Sequence, residues 1–222
     1  MKAAVSNQRK EVRKEMRIEI RSETEARITG YVNATEKKSR PVITPHGKVV
    51  EIIEPRAFAE AIERGGDISL NVDHDKGSVY ANTRDGTLTL REDAIGLHAD
   101  VLIRDPVLIG LAREGKIRGW SFGMYNVRDE LEQRGEGELP LRHIRGMDLD
   151  HVSLIVGQTP VYSATSVEVR AEDGGERYDE LRHGIEDPVT VEDRSAAAPE
   201  ETQEFDNSAY HKRLDALNRK ES

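Results

Sequence analysis

The feature that most restricts the fold is a repeated alternation of apolar and polar residues over short runs. Between residues 16 and 21, Met16, Ile18 and Ile20 alternate with polar side chains. Successive side chains of a β-strand point to opposite faces, so this period of two predicts a strand with one buried face. Similar runs occur at residues 49–53, 87–90, 97–103, 122–127, 152–156 and 166–170.

Two segments predict helices instead. In the first, Pro55 stands at a tolerated first-turn position and Gly65 follows the last apolar residue of the pattern. In the second, Asp105 can cap the helix, Pro106 starts it and Gly115 ends it. The strands do not alternate with helices as in a doubly wound α/β fold. We therefore expect a mainly β fold, a closed or nearly closed β-barrel with peripheral helices.

The acidic residues are concentrated at the C-terminal end. The 222 residues carry a net charge of −9, and residues 171–222 contain 15 Asp and Glu against 7 Lys and Arg. Because few large apolar residues accompany these charges, we predict a largely disordered acidic tail at 171–222, with one short helix at about 209–220. Residues 1–15 are expected to form a flexible basic arm, which leaves 16–170 as the folded domain.

Composition also excludes several classes of protein. The negative net charge argues against a general nucleic-acid binder. The absence of cysteine excludes disulfides and thiolate metal sites. No apolar run approaches the roughly 20 residues of a membrane helix, and the charged N-terminus lacks the apolar stretch of a secretory signal. We therefore expect a soluble intracellular protein.

One serine stands out as a candidate nucleophile. Ser121 lies within Gly-Trp-Ser-Phe-Gly at 119–123, with His74 upstream and His151 downstream. A serine hydroxyl becomes nucleophilic when a histidine takes its proton and a third group orients that histidine. The flanking glycines would let a substrate backbone come close. Two other interpretations of the motif are a glycine-flanked β-bulge and the nucleophile elbow of α/β-hydrolases, and a strand at 122–127 disfavours the elbow.

The histidines also have more than one interpretation. His74 lies between two aspartates, which would raise its pKa, and it is a catalytic base, a metal ligand or a solvated loop residue. No further ligands occur at a metal-binding spacing such as H-E-x-x-H, so a metal site is disfavoured. His151 follows Asp150 in a strand-like run, and alternation would point only one of the two at a site shared with Ser121.

Taken together, these segments resemble the prohead serine proteases of tailed phages, a family similar to the herpesvirus assemblin proteases. The resemblance runs from about residue 17 to residue 170. Arg56 stands where the family often has glycine, and His151 stands where the third catalytic residue is commonly glutamate. The herpesvirus relatives use a Ser-His-His arrangement, so a histidine is chemically acceptable there. The landmarks, in chain order, are Ile53 to Phe58, Asn71 to Asp75, Gly96-Leu97, Trp120 to Gly123, and Leu149 to Val156 followed by Pro160.

The resemblance implies a herpesvirus-protease-like closed β-barrel that hydrolyses peptide bonds without a cofactor or metal ion. Ser121 would be the nucleophile, His74 the general base, and His151 the residue that orients His74. Asp150 is the rival for this last role.

The resemblance also implies partners. The substrates would be the major capsid protein precursor, the scaffold protein and the protease itself, inside the immature prohead in the host bacterial cytoplasm. Neither nucleic acid nor a membrane is an expected partner, and a homo-oligomer such as a dimer is expected. Two alternatives stay open: a non-enzymatic scaffold or capsid-assembly protein with an inactive protease-like barrel, and an esterase that uses Ser121.

Overall fold

A computed structural model describes residues 15–156, 167–172, 175–184 and 188–195. Within them the chain forms thirteen strands and two helices, so the prediction of a mainly β fold with helices is confirmed. The predicted basic arm up to residue 14, Pro160 and the predicted helix at 209–220 lie outside the described residues.

The elements are β1 (Met16–Ser22), β2 (Glu25–Ala34), β3 (Val42–Thr44), β4 (Gly47–Ile53), α1 (Ala57–Glu63), β5 (Ser69–Val72), β6 (Ala81–Asn82), β7 (Leu88–Glu92), β8 (Gly96–Ile103), α2 (Pro106–Arg113), β9 (Ile117–Glu132), β10 (Leu141–Val156), β11 (Val167–Glu172), β12 (Gly175–His183) and β13 (Val189–Asp193).

The strands form two sheets. One has the order β13-β1-β2-β8-β7, and the other has the order β11-β12-β9-β10-β4-β3 with β5 joined to β10 and β6. Neither sheet closes on itself in the described part of the chain, so the expected closed barrel is wrong. Alternation fixes which face of a strand is buried, and two packed sheets bury that face as well as a barrel does. Apolar side chains of both sheets share one core with Phe58 of α1 and Leu108 of α2.

Helix α2 begins at Pro106 as predicted, whereas α1 begins at Ala57, two residues after Pro55, which was expected to open it. At α2, the carboxylate of Asp105 accepts the N–H of Leu108 at 2.8 Å, and Gly115 follows the helix with a positive φ of 64°. At α1, no side chain of the preceding residue caps the helix. Glu92 of β7 accepts the backbone N–H of Arg56 instead, at 2.7 Å. Neither helix is long and apolar enough to cross a membrane, and the described residues contain no other helix.

The two longest strands, β9 and β10, carry two of the three candidate residues. They have 16 residues each and pair in antiparallel fashion. Their register sets Ser121 opposite Ser153 and Gly123 opposite His151, so these four residues share one face of the sheet. β5 pairs with β10 in parallel, and the turn after β5 therefore brings His74 beside the same face.

Within the predicted disordered tail, the described residues 175–183 and 189–193 form strands, and residues 196–222 lie outside the described part of the chain. β12 pairs with β9, and β13 pairs in parallel with β1. Composition gave no sign of β12 because the charged side chains of Glu180 and Arg182 are buried in ion pairs rather than solvated. Leu181 between them is a buried apolar residue. Both strands therefore belong to the two sheets that build the fold.

Candidate active site

The three candidate residues are far apart in the sequence and lie in contact in the fold. Nε2 of His74 is 2.8 Å from Oγ of Ser121, and Nδ1 of His74 is 2.7 Å from Nε2 of His151. Nδ1 of His151 is in turn 2.8 Å from Oδ2 of Asp150. The four side chains Ser121, His74, His151 and Asp150 thus form one continuous chain of hydrogen bonds, called the relay below.

Both Asp150 and His151 belong to the relay, although alternation along a regular strand would point them to opposite faces. β10 is irregular between Leu149 and His151, and a bulge of this kind redirects side chains. Lys76 lies at the end of the relay, with Nζ 2.5 Å from Oδ2 of Asp150 and 2.9 Å from Oδ2 of Asp179. The hydrogen bond from His151, and after it the one from Lys76, hold the pKa of Asp150 well below its usual range, although burial opposes them. Asp150 is therefore a charged carboxylate.

A tight turn after β5 holds His74 in place. Asp73 and His74 have φ angles of 47° and 63°, in the left-handed region that few residues other than glycine, aspartate, asparagine and histidine adopt. β10 fixes this turn, because the N–H of Asp73 donates to the carbonyl of Leu154 and the N–H of His74 donates to Oγ of Ser153, each at 3.0 Å. Ser153 was not predicted as a site residue. It lies two residues after His151 on the same strand, and therefore on the same face, which is the signal that could have identified it.

His74 is neutral at ordinary pH. The expectation that its neighbouring aspartates raise its pKa is wrong. Burial, followed by the charge of His151 and of two further cationic groups, lowers the pKa of His74 to about 3. The carboxylates of Asp73 and Asp75 each accept a backbone N–H at 2.9 Å instead of the imidazole. A neutral imidazole can accept a proton, so His74 is suited to act as a base toward Ser121.

The second glycine of the serine motif makes room for the relay. A Cβ at Gly123 would lie 2.8 Å from Nδ1 of His151 and closer still to Cε1 of the same ring. Any side chain at this position must therefore displace the imidazole that contacts His74. Gly119, on the other side of the serine, has no atom within 4 Å of the place that a Cβ would take. Gly123 thus serves the packing of the relay.

Two of the four relay side chains are closed off from solvent. Ser121 and His151 are fully buried or nearly so, whereas His74 and Asp150 are partly exposed. β12 covers the serine, and the Ser121 hydroxyl lies 2.6 Å from the carbonyl oxygen of Arg182, to which it donates. Among the described residues, no cluster of three or more acidic, histidine or cysteine side chains could hold a metal ion.

Comparison with known proteins identifies the family. The family model described as caudovirus prohead serine protease matches residues 13–179. The chain belongs to this family of phage prohead serine proteases. Membership implies a part in capsid maturation and interaction with phage capsid proteins, and it confirms the resemblance stated above. A search of curated proteins gave no match. A search of solved structures gave none either.

The match to the prohead protease family covers the whole relay but ends within β12, the strand that covers Ser121. Ser121, His74, His151 and Asp150 lie within residues 13–179. Arg182, whose carbonyl contacts the serine, lies beyond them.

The stability of this prohead protease should depend on pH through His74. Between about pH 6.5 and 3 the unfolded chain binds a proton at His74 while the folded protein does not, so stability is lost as the pH falls through this window. The His74→Gln variant lacks this contribution, and its free energy of unfolding should fall less steeply, by up to about 1.4 kcal/mol per pH unit. Urea unfolding at several pH values, with both proteins carrying Ser121→Ala to prevent proteolysis, measures the two slopes. Equal slopes would contradict the lowered pKa.

Substitution of the two glycines of the serine motif should have unequal effects. Gly123→Ala displaces the His151 imidazole and so disorders His74, whereas Gly119→Ala meets no neighbouring atom. Because a positioned base contributes about 100-fold or more to rate, labelling of Ser121 by a fluorophosphonate should slow by about 100-fold in Gly123→Ala and little in Gly119→Ala. Thermal unfolding checks that both variants fold. Similar labelling rates in two folded variants would refute this role of Gly123.

Proposed function

We propose that this prohead protease is an active serine endopeptidase that cleaves the major capsid protein precursor and the scaffold protein during prohead maturation, and that it cleaves itself. The relay carries this proposal. A serine hydroxyl lies 2.8 Å from a neutral histidine, and a second histidine and a carboxylate orient that histidine. Such an arrangement activates a hydroxyl for attack on a carbonyl group. A capsid-assembly protein without activity would have no need of it.

The positions of the protons follow from the order of the relay. The charged Asp150 accepts the Nδ1–H of His151, which leaves Nε2 of His151 without a hydrogen. That nitrogen accepts the Nδ1–H of His74, and Nε2 of His74 is then free to accept the proton of Ser121. In the reaction, Ser121 attacks the carbonyl carbon of the substrate while His74 takes the proton and passes it to the leaving amine. Water then hydrolyses the acyl-serine ester with His74 as base again.

We assign the orientation of His74 to His151, and we treat Asp150 as a positioning residue that acts through His151. A neutral imidazole is a weaker acceptor for the N–H of His74 than a carboxylate would be. The hydrogen bond from His151 to Asp150 fixes the tautomer of His151, so its other nitrogen is always an acceptor in the productive state. Lys76 holds the Asp150 carboxylate from its other side.

Family membership supports the setting of this activity. We propose that the protein works inside the immature prohead, in the cytoplasm of the host bacterium, as a homo-oligomer. The reaction uses the side chains of the relay and water, and requires no cofactor or metal ion.

Ser121→Ala should abolish processing and leave the fold intact, because it removes only the attacking oxygen. Ser22→Ala is the matched control, since Ser22 ends β1 in the other sheet. Each variant is co-expressed with the capsid protein precursor, and mass spectrometry of the capsid protein and of the protease identifies cleaved products. Continued processing by Ser121→Ala would contradict the proposed function.

The two candidates for the third position should differ in strength. His151→Ala removes the direct partner of His74 and should lower the rate of capsid precursor cleavage by about 1,000-fold or more. Asp150→Ala should lower it less, and Asp150→Asn, which keeps an acceptor oxygen beside His151, should recover part of the loss. The processing rates of the three variants are compared at several pH values. A larger loss in Asp150→Ala than in His151→Ala would transfer the orienting role to Asp150.

A further inference from the structure

β12 lies against β9 in the way that a peptide substrate adds a strand to a sheet edge. The pairing is antiparallel and includes the nucleophile itself. Beyond the end of the strand, the N–H of Gly184 donates to the carbonyl of Trp120 at 2.8 Å. Main-chain pairing of this kind gives affinity that does not depend on sequence, and side-chain pockets then give specificity. The paired residues are Glu180 with Met124, Leu181 with Gly123, Arg182 with Phe122 and His183 with Ser121.

Arg182 presents its carbonyl group to the nucleophile. The Ser121 oxygen is 2.6 Å from the Arg182 carbonyl oxygen. A carbonyl bond is about 1.23 Å long, so the carbonyl carbon lies within about 4 Å of the serine oxygen, near the separation of about 3–3.5 Å from which attack occurs. His183 follows Arg182 and pairs with Ser121 in the ladder between β12 and β9, so the peptide bond after Arg182 lies beside the serine.

Two buried arginine–carboxylate pairs hold the side chains of β12. Nε and Nη2 of Arg182 lie 2.7 and 2.8 Å from the two carboxylate oxygens of Glu51 on β4. Nη1 and Nη2 of Arg142 on β10 lie 2.6 and 2.8 Å from the two carboxylate oxygens of Glu180. All four side chains are 2–4% exposed. Bidentate pairs of this kind require the planar guanidinium group, which lysine lacks.

The residues that receive β12 have an excess of negative charge. Glu51 and Asp129 both pair with Arg142, so two carboxylates share one guanidinium before β12 is counted. β12 then adds one cation and one carboxylate, Arg182 beside Glu51 and Glu180 beside Arg142. This surrounding favours an arginine and disfavours a neutral or acidic side chain at the position of Arg182.

We propose that β12 is the protease's own substrate segment bound in its substrate groove, with Arg182–His183 as the scissile bond and Glu51 as the residue that selects arginine before that bond. Arg142 selects a carboxylate two residues earlier, so the preferred sequence is Glu-x-Arg followed by the cleaved bond. The proposal rests on the proposed function and names the substrate class of the same site. Glu180 and Arg182 lie beyond residue 179, where the family match ends.

The reaction is balanced with water as the second reactant. Ser121 Oγ forms a bond to the carbonyl carbon of Arg182, and the bond from that carbon to the nitrogen of His183 breaks. The serine proton passes through His74 to that nitrogen, which leaves as a free amine. Water hydrolyses the ester, which gives Arg182 a carboxylate and restores the serine hydroxyl. The products are residues 1–182 and 183–222.

The first test follows the intact mass of the purified full-length chain over time. The expected products are residues 1–182 and 183–222, with His183 as a new N-terminus, while Ser121→Ala stays whole. Cleavage of the capsid precursor with the Arg182–His183 bond left intact overturns this inference and leaves the proposed function standing. Failure to cleave either chain overturns both.

The second test measures selection of arginine. Arg182→Gln should slow cleavage at this bond by about 100-fold, because Glu51 loses one of its two buried arginine partners. Arg194→Gln is the matched control, since Arg194 lies in the same C-terminal region and forms only exposed ion pairs with Glu19 and Glu192. An unchanged rate of cleavage at this bond in a folded Arg182→Gln variant overturns the inference.

A peptide series keeps the test independent of the folding of that variant. Peptides with the sequence of residues 178–187, carrying arginine, lysine or glutamine at position 182, are given to the self-processed protein. The value of kcat/KM should be about 100-fold higher for arginine than for glutamine, and Glu51→Gln should reduce this ratio. A ratio near one, or a ratio that Glu51→Gln leaves unchanged, overturns selection by Glu51.

Discussion

The register between β9 and β10 is the constraint on which the rest of the site depends. It sets Ser121 opposite Ser153 and His151 opposite Gly123, so Ser121, the serine that holds the His74 turn, and His151 share one face. A slip by one residue would turn each of them to the other face. Buried apolar residues in the same stretch of both strands oppose such a slip. The single irregularity beside His151 then brings Asp150 into the relay, which a regular strand would not do.

Alternation and capping signals predicted the elements whose buried face consists of large apolar side chains. β2 went unpredicted because one of its inward positions is Gly30, where a Cβ would lie 3.0 Å from Nε1 of Trp120 and 3.1 Å from Cα of Met16. A glycine at a core position weakens an apolar pattern even when close packing demands it. β12 went unpredicted for another reason. Charged residues in a sequence are normally expected to be exposed to solvent. The fold buries Arg182 against Glu51 and Glu180 against Arg142, and these partners are distant in the sequence.

The candidate site was identified from the serine motif and from the resemblance to a family, since the spacing of Ser121, His74 and His151 does not fix their contacts. The direction of the pKa shift of His74 could not be predicted from its neighbours in the sequence. Asp73 and Asp75 are its neighbours along the chain and yet bind backbone N–H groups, whereas His151 is distant in sequence and in contact in space. Burial, followed by the electrostatic effects of His151, His183 and Lys76, lowers the pKa of His74, and all of these depend on the fold.

The hydroxyl of Ser121 connects β12 to the relay. It has one hydrogen and two acceptors within reach, Nε2 of His74 at 2.8 Å and the carbonyl oxygen of Arg182 at 2.6 Å. When the hydroxyl donates to Arg182, Nε2 of His74 does not receive that hydrogen. When it donates to His74, the carbonyl oxygen of Arg182 loses this donor.

The two states therefore differ in the direction of one O–H bond. In the first, the serine hydrogen points at the carbonyl oxygen of Arg182. In the second, it points at the nitrogen that would accept it if His74 acts as a base. Rotation about the Cβ–Oγ bond of Ser121 converts one state into the other, because both acceptors already lie within 2.8 Å of the oxygen.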